Sequence, residues 1–507
     1  MTTPIVLATI NARYYHASFG LRYLYANLGN LQQQTTLREF TLENRAADIV
    51  ESLLQEQPTI IGLGVYIWNV SLTTEVAGLL KQVAPDVILI LGGPEVGCAE
   101  DLPEIASRAD YVITGQADLA LEQLCSEILD GDPPENRLIE AQPPNLSDLQ
   151  LPYREYSSED INHRLIYVEA SRGCPFKCEF CLSSLDKTAW PFDLDRFLDE
   201  MQGLYERGVR HFKFVDRTFN LKVATTSRIL EFFLDKNDKD LFLHFELIPD
   251  RLPNALKDYL VRFMPGTLQF EIGVQTFNPE VQTLISRKQN NDKTCENLKW
   301  IVEHTHAHVH ADLIFGLPGE TLSSFATGFN RLHQLGVHEI QFGILKRLRG
   351  TPICRHEESF QLKFNPAPPY EILQNRDIDF ATTQRMQRFA RYWDMIANSG
   401  RFKQAISLFS EEQLFEQFDK LSVWLYQTTG QTHKIALNRL FDLLHEALSG
   451  ICDVEQPFVT RALKQDFIDG GFKGSPKFLL SESEQSNDRQ ARHVAAKHTN
   501  RQLRYQS

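Results

Sequence analysis

The run IYVEASRGCPFKCEFCLSS, residues 166–184, decides how the rest of the chain is read. Its opening residues, IYVEA, have the make-up of a short buried strand. The strand leads directly into a loop with Cys174, Cys178 and Cys181 in the spacing CxxxCxxC. Thiolates suit iron–sulfur clusters, and three so closely spaced fit a loop folded round one corner of a cubane, leaving the fourth iron without a protein ligand. The competing reading is a tetrahedral zinc site. Zinc normally takes four ligands in a closed site, and no further Cys or His stands nearby in sequence to complete one.

Outward from this loop a strand-then-helix rhythm continues through HFKFVD (211–216), LFLHFELI (241–248), LQFEIGV (268–274), VHADLIFG (309–316) and EIQFGIL (339–345). With IYVEA these make six parallel units, two short of a closed (β/α)8 barrel, so a partial (β/α)6 barrel is expected over 161–365. Helices between the strands carry their own punctuation: Asn278 and Pro279 suit an N-cap and first helical position, and Leu322, Phe325, Phe329 and Leu332 share a face that Gly336 ends. Ligands of parallel barrels bind at the carboxyl ends of strands, which is where the cysteine loop leaves. His304, His306, His308 and His310 alternate as if on one strand face, but they lie at the opposite, amino end, where structural roles are expected.

Upstream, IVLATI (5–10), TLREFTL (36–42), TIIGLGVY (59–66), VILILGG (87–93) and YVITG (111–115) alternate with helical patterns. They predict an α/β domain of doubly wound, flavodoxin-like type over 1–135, with a crevice at glycine-rich strand ends: Gly92, Gly93 and Gly115. Pro133, Pro134, Pro143, Pro144 and Pro152 mark a linker over 136–160. After NPAPPY (365–370), apolar residues such as Met386, Phe389, Trp393 and Ile396 recur at helical spacing, so 366–481 is expected to be an all-helical region. Residues 482–507 form a polar tail with little to bury.

At 507 residues the chain exceeds one ordinary core, and a composition 42% hydrophobic and 23% charged is that of a globular protein. Eight cysteines are too sparse for a disulfide framework. A net charge of −14 disfavours nucleic acid as a partner. No apolar run reaches the ~20 residues of a membrane span, and the N-terminus lacks a basic region and cleavage site, so a cytoplasmic protein is expected.

The cysteine loop resembles that of the radical S-adenosylmethionine (SAM) superfamily, and the domain order resembles its cobalamin-binding-domain members with a helical C-terminal extension. The resemblance implies a [4Fe-4S] cluster on Cys174, Cys178 and Cys181, with SAM chelated at the open iron and Phe180 near the adenine. VDRTFN (215–220), FELIPDRL (245–252), EIGVQTFN (271–278) and DLIFGLPGET (312–321) resemble the oxygen-independent coproporphyrinogen oxidase branch. By that likeness Glu246, Gln275, Arg287 and Asp312 contact SAM, and the backbone near Asp216 takes its amino group. The superfamily often has Gly-Gly-Glu at this second strand end, where this chain reads VDRT.

For the first domain the likeness implies cobalamin, with Gly92, Gly93 and Gly115 on its approach. The usual DxHxxG fingerprint is absent, and His16, four residues before Gly20, is the candidate axial ligand. The expected function is reductive cleavage of SAM coupled to cobalamin-dependent methylation of an unactivated carbon in a small-molecule substrate. A flavodoxin- or ferredoxin-type donor would supply the electrons. The alternatives are oxidation or rearrangement without methyl transfer, a non-catalytic cobalamin and iron–sulfur sensor, and a transfer-RNA modification enzyme.

Overall fold

A computed structural model describes residues 4–186, 188–452 and 454–479; the polar tail expected at 482–507 lies outside the described residues. The first sheet comes from short apolar runs: β1 (Ile5–Asn11), β2 (Thr35–Thr41), β3 (Ile60–Gly64), β4 (Ile88–Gly92), β5 (Tyr111–Gly115) and β6 (Leu138–Ala141). All pair in parallel, in the order β2-β1-β3-β4-β5-β6. Successive side chains alternate between two cores. Val6, Ala8, Ile10, Ile61, Leu63 and Leu91 pack on one face with Ile49, Val50, Val76 and Leu80 of two helices. Ile5, Leu7, Ile60, Ile90 and Ile113 pack on the other with Leu21, Leu121 and Leu124. This is the expected doubly wound architecture.

The strand β6 falls inside the stretch expected to be a linker. It is four residues long and half-buried at the sheet edge, and prolines flank it without entering it. Strand order reverses between β1 and β3, so the crevice of a doubly wound sheet opens at their carboxyl ends.

The loop after β1 is fastened there by buried charge. Glu39 Oε2 accepts from Asn11 Nδ2 at 2.6 Å and from the Ser18 N–H at 2.8 Å. Arg22 pairs with Glu39 at 2.7 Å and with Asp160 at 2.8 Å, all three side chains being below 10% exposed. Asp160 belongs to the helix Ser158–His163, which closes the linker onto this domain through a capping box with Ser157.

The second sheet contains β7 (Ile166–Val168), β10 (His211–Phe214), β11 (Phe242–Leu247), β12 (Leu268–Gln275), β13 (His308–Phe315) and β14 (Glu339–Ile344), in the order β14-β13-β12-β11-β10-β7. Two short strands, β8 (Ser171–Arg172) and β9 (Trp190–Pro191), form a separate antiparallel pair. β7, β10 and β11 pair in parallel with one another, as do β12, β13 and β14, and these six are the strands expected from the sequence. The chain divides into two compact units: one is Met1–Glu246 with Lys346–Arg355 and Phe364–Glu371, the other Leu247–Leu345 with His356–Lys363 and Ile372–Ser507.

In the second unit the helical region packs aromatically. Phe389 and Trp393 of the helix Phe380–Ile396 meet Phe415 and Phe418 of Leu414–Thr429 at ring separations of 4.8 and 5.0 Å, and Trp393 meets Phe329 at 4.7 Å. Of the alternating histidines, His308 is buried against Glu339 at 2.9 Å and His304 stacks on Trp300, both structural uses. No helix among the described residues is long and apolar enough to cross a membrane.

Removing one member of a buried ion network leaves the others uncompensated. Arg22→Ala is therefore expected to destabilise the chain by about 3–5 kcal/mol, read as a lowered midpoint in denaturant unfolding.

Candidate metal centre and cofactor-facing loops

The cysteine loop is closed at its base by β8 and β9, where Ser171 stands opposite Pro191 and Arg172 opposite Trp190. Gly173 sits at φ +91°, and a Cβ there would collide with the Thr188 carbonyl oxygen and crowd the Asp186 carboxylate. Only glycine fits the residue before Cys174. Within the loop the Cys174 N–H donates to the Asp186 carbonyl at 3.2 Å and the Cys181 N–H to the Cys178 carbonyl at 3.1 Å. The Cys181 carbonyl in turn takes the Ser184 hydroxyl at 2.7 Å. Backbone hydrogen bonds thus set the spacing of the thiols.

Cys174 and Cys178 are buried and Cys181 is half-buried, none of them in a disulfide. Burial pushes the Cys174 thiol up, helped by Cys181 and Cys178 close by, while a hydrogen bond from the Phe176 backbone and the charge of Arg217 oppose the rise. Among the described residues no group of three His, Cys, Asp or Glu side chains converges on a single metal ion. Three closely spaced thiols suit a multi-iron cluster better than tetrahedral zinc, which takes four ligands in a closed site. Phe180 is half-buried directly before Cys181.

Asp216 follows β10 and is fully enclosed. Its carboxylate accepts from the Ala170 N–H at 2.9 Å and from the Ser171 hydroxyl at 2.6 Å, pinning the end of β7 where the cysteine loop begins. Burial pushes its pKa up to about 7 against the pull of these donors. The acid is thus engaged in holding the loop. Arg217, beside it, pairs with Glu246 at 2.7 Å and lies near enough to Cys174 to act on its thiol. Sequence reasoning passed over Arg217, although it stands in the quoted VDRTFN.

In the second unit Gln275 ends β12 at φ 70°, beside a register shift from Gly273, and its Oε1 is buried without a hydrogen-bond partner among the described residues. Arg287 donates to the Gly273 carbonyl and to Gln289 Oε1. Asp312, on β13, lies 3.7 Å from His310. Glu320, in the GLPGET run but not flagged from sequence, is buried and accepts from the Thr276 hydroxyl at 2.6 Å. Burial pushes its pKa up to about 7, opposed by the Thr276 and Ser324 hydroxyls.

At the first domain's strand ends, Gly93 (φ +108°) and Gly115 (φ +76°) are glycines for internal reasons: a Cβ would strike the Val65 carbonyl in one case and the Ala141 carbonyl in the other. Gly92 alone of the three faces open space. His16 Nδ1 lies 2.5 Å from the Tyr167 hydroxyl of β7, and burial, reinforced by the charges of Lys213 and Arg13, lowers its pKa and favours the neutral ring. The β1 loop that bears it is also held by Leu165, whose N–H donates to the Tyr15 carbonyl at 2.8 Å.

Comparison with known proteins bears on this geometry. Residues 168–331 match the radical SAM superfamily model, which encloses all three cysteines. The chain carries a radical SAM domain over these residues. Residues 5–125 of this radical SAM enzyme match the B12 binding domain, and residues 358–506 match a family described as a protein of unknown function (DUF4080). It is 23% identical to an uncharacterized methyltransferase of Pyrococcus horikoshii over 61% of this chain and 72% of that one. It is 25% identical to the cobalamin-dependent radical SAM methyltransferase TokK of Streptomyces tokunonensis, over 82% of this chain and 65% of that one. Its fold is similar to the cobalamin-dependent S-adenosylmethionine radical enzyme OxsB with aqua-cobalamin bound, with TM-score 0.64 and 13% identity over 94% of this chain and 83% of that one. A radical SAM domain brings a [4Fe-4S] cluster and SAM, and the first domain matches the cobalamin-binding kind.

Two outcomes follow from the geometry of the cysteine loop. Gly173→Ala is expected to lose most of the bound iron, measured colorimetrically after anaerobic reconstitution, with the far-ultraviolet circular dichroism retained. For Asp216, the folded pKa lies above the unfolded one, so the folded state binds the extra proton and stability falls as pH rises from about 4 through about 7. Asp216→Asn, a mimic of the protonated acid, should therefore melt higher than the parent at pH about 8, and that advantage should shrink at pH about 5.

Proposed function

We propose that this enzyme is a cobalamin-dependent radical SAM methyltransferase acting on an unactivated carbon of a small molecule. The observation that carries the reading is that the cysteine loop and the carboxyl-end loops of a B12-type domain belong to one compact unit, joined by the Arg172–Asp118 ion pair at 3.0 Å. When bound, the cluster supplies the electron that splits SAM and cobalamin supplies the methyl group to be passed on.

The chain's own residues hold and orient. Cys174, Cys178 and Cys181 would hold the cluster, which would supply an open iron for the amino and carboxylate groups of SAM. Arg217, held by Glu246, offers a guanidinium to that carboxylate, and Phe180 offers an apolar surface to the adenine. Gly92 leaves room for a corrin to approach, and His16, whose Nδ1 is engaged by the Tyr167 hydroxyl, would hold the cobalt of a bound cobalamin. Eight cysteines, none of them in a disulfide, suit a reducing, cytoplasmic compartment, with a flavodoxin- or ferredoxin-type protein as electron donor.

SAM labelled in its methyl group separates this reading from its rivals. Label appearing in a product together with release of 5′-deoxyadenosine is the expected result. Label confined to methionine would indicate oxidation or rearrangement. Cys174→Ala, Cys178→Ala and Cys181→Ala should each abolish 5′-deoxyadenosine release.

A further inference from the structure

Two loops at the strand ends of the first domain grip the cysteine loop. After β5, Arg172 Nη1 donates to Asp118 Oδ2 at 3.0 Å and to Gln116 Oε1 at 3.3 Å, and Gln116 Nε2 donates to Asp186 Oδ2 at 3.3 Å. Arg172 precedes Cys174 and Asp186 follows Cys181, so one short loop holds both ends of the cysteine loop. After β4, Glu95 and Asp101 bind Arg349 at 2.9 and 2.7 Å. The segment that carries Arg349 continues to Ile353, whose N–H donates to the Glu179 carbonyl at 3.0 Å, and to Arg355, which pairs with the Glu179 carboxylate. Glu179 lies between Cys178 and Cys181, so this second tie reaches the middle of the loop.

Asp118, Glu95 and Glu179 are 7%, 4% and 2% exposed. Carboxylates buried to this degree are costly once their arginines leave, so each tie is either made or lost as a whole. A cysteine loop ordered by its ligand therefore orders the strand-end loops, and strand-end loops ordered by theirs order the cysteine loop. We infer that Asp118, Gln116, Glu95 and Arg349 are positioning residues that couple occupancy of the first domain's crevice to occupancy of the cysteine loop. A corrin binds more tightly when the cluster is in place, and the cluster binds more tightly, by the same factor, when the corrin is. The inference rests on the proposed function for the identity of the crevice ligand.

The test uses the full chain, purified without oxygen and either loaded with cluster or stripped of it by chelation. Equilibrium binding of hydroxocobalamin is followed by absorbance in both states. The expected result is affinity at least about fivefold higher in the loaded chain, within the range of ordinary coupling between sites. In Asp118→Asn the ratio should fall toward one. A purely structural role for Asp118 would weaken binding in both states and leave the ratio unchanged, which overturns the inference. Arg349→Gln, in the other tie, serves as the second variant, and the parent chain alone decides if neither variant folds, because a ratio of one there also overturns the coupling. If methyl label is transferred and hydroxocobalamin binds with a ratio of one, the coupling fails and the proposed function stands. If hydroxocobalamin does not bind in either state, both fail.

Discussion

Three thiols must stand a cluster's width apart on a loop with no regular secondary structure of its own, and the first unit is organised around that constraint. Loops do not keep such spacings unaided, because each freely rotating residue costs about 1–2 kcal/mol to fix. Here the fixing is distributed. The β8–β9 pair closes the base, Gly173 lets the chain pass under Thr188, the Asp186 and Cys178 carbonyls take the N–H groups of Cys174 and Cys181, and Asp216 clamps the strand end from which the loop departs.

The same constraint explains why so much charge is buried nearby. Arg172 carries two carboxylates, Glu169 at 2.8 Å and Asp118 at 3.0 Å, while its guanidinium lies 4.8 Å from the Tyr23 ring centre. Such a group adds little net stability compared with an apolar core, but its geometry is unforgiving, since any displaced member strands another. Directional ties of this kind suit a loop whose work depends on where its sulfurs are. Apolar packing alone would hold the loop in place without fixing its register.

Much of this was legible in the sequence because the decisive signals are local. The parallel strands are short apolar runs with glycine at their ends, and CxxxCxxC places its ligands within eight residues. What escaped is what depends on distant partners. Arg172 and Asp118 lie 54 positions apart, and neither is conspicuous until the fold brings them together. Strand β6 is too short and too flanked by proline to show a period. Gly93 and Gly115 were read as room for a ligand, yet their own neighbours Val65 and Ala141 already require glycine. Asp216 stands at the expected strand end with its carboxylate turned to the backbone of Ala170, a choice of direction that no residue pattern encodes.

The central claim is that the three thiols hold a cubane with one iron open to SAM. Its most direct test is metal and sulfide analysis of the anaerobically reconstituted chain, with electron paramagnetic resonance of the reduced protein before and after SAM is added. The account requires about four irons and four sulfides per chain and a reduced-cluster signal that shifts on SAM addition. Stoichiometric zinc with no sulfide, or a cluster signal indifferent to SAM, would contradict it.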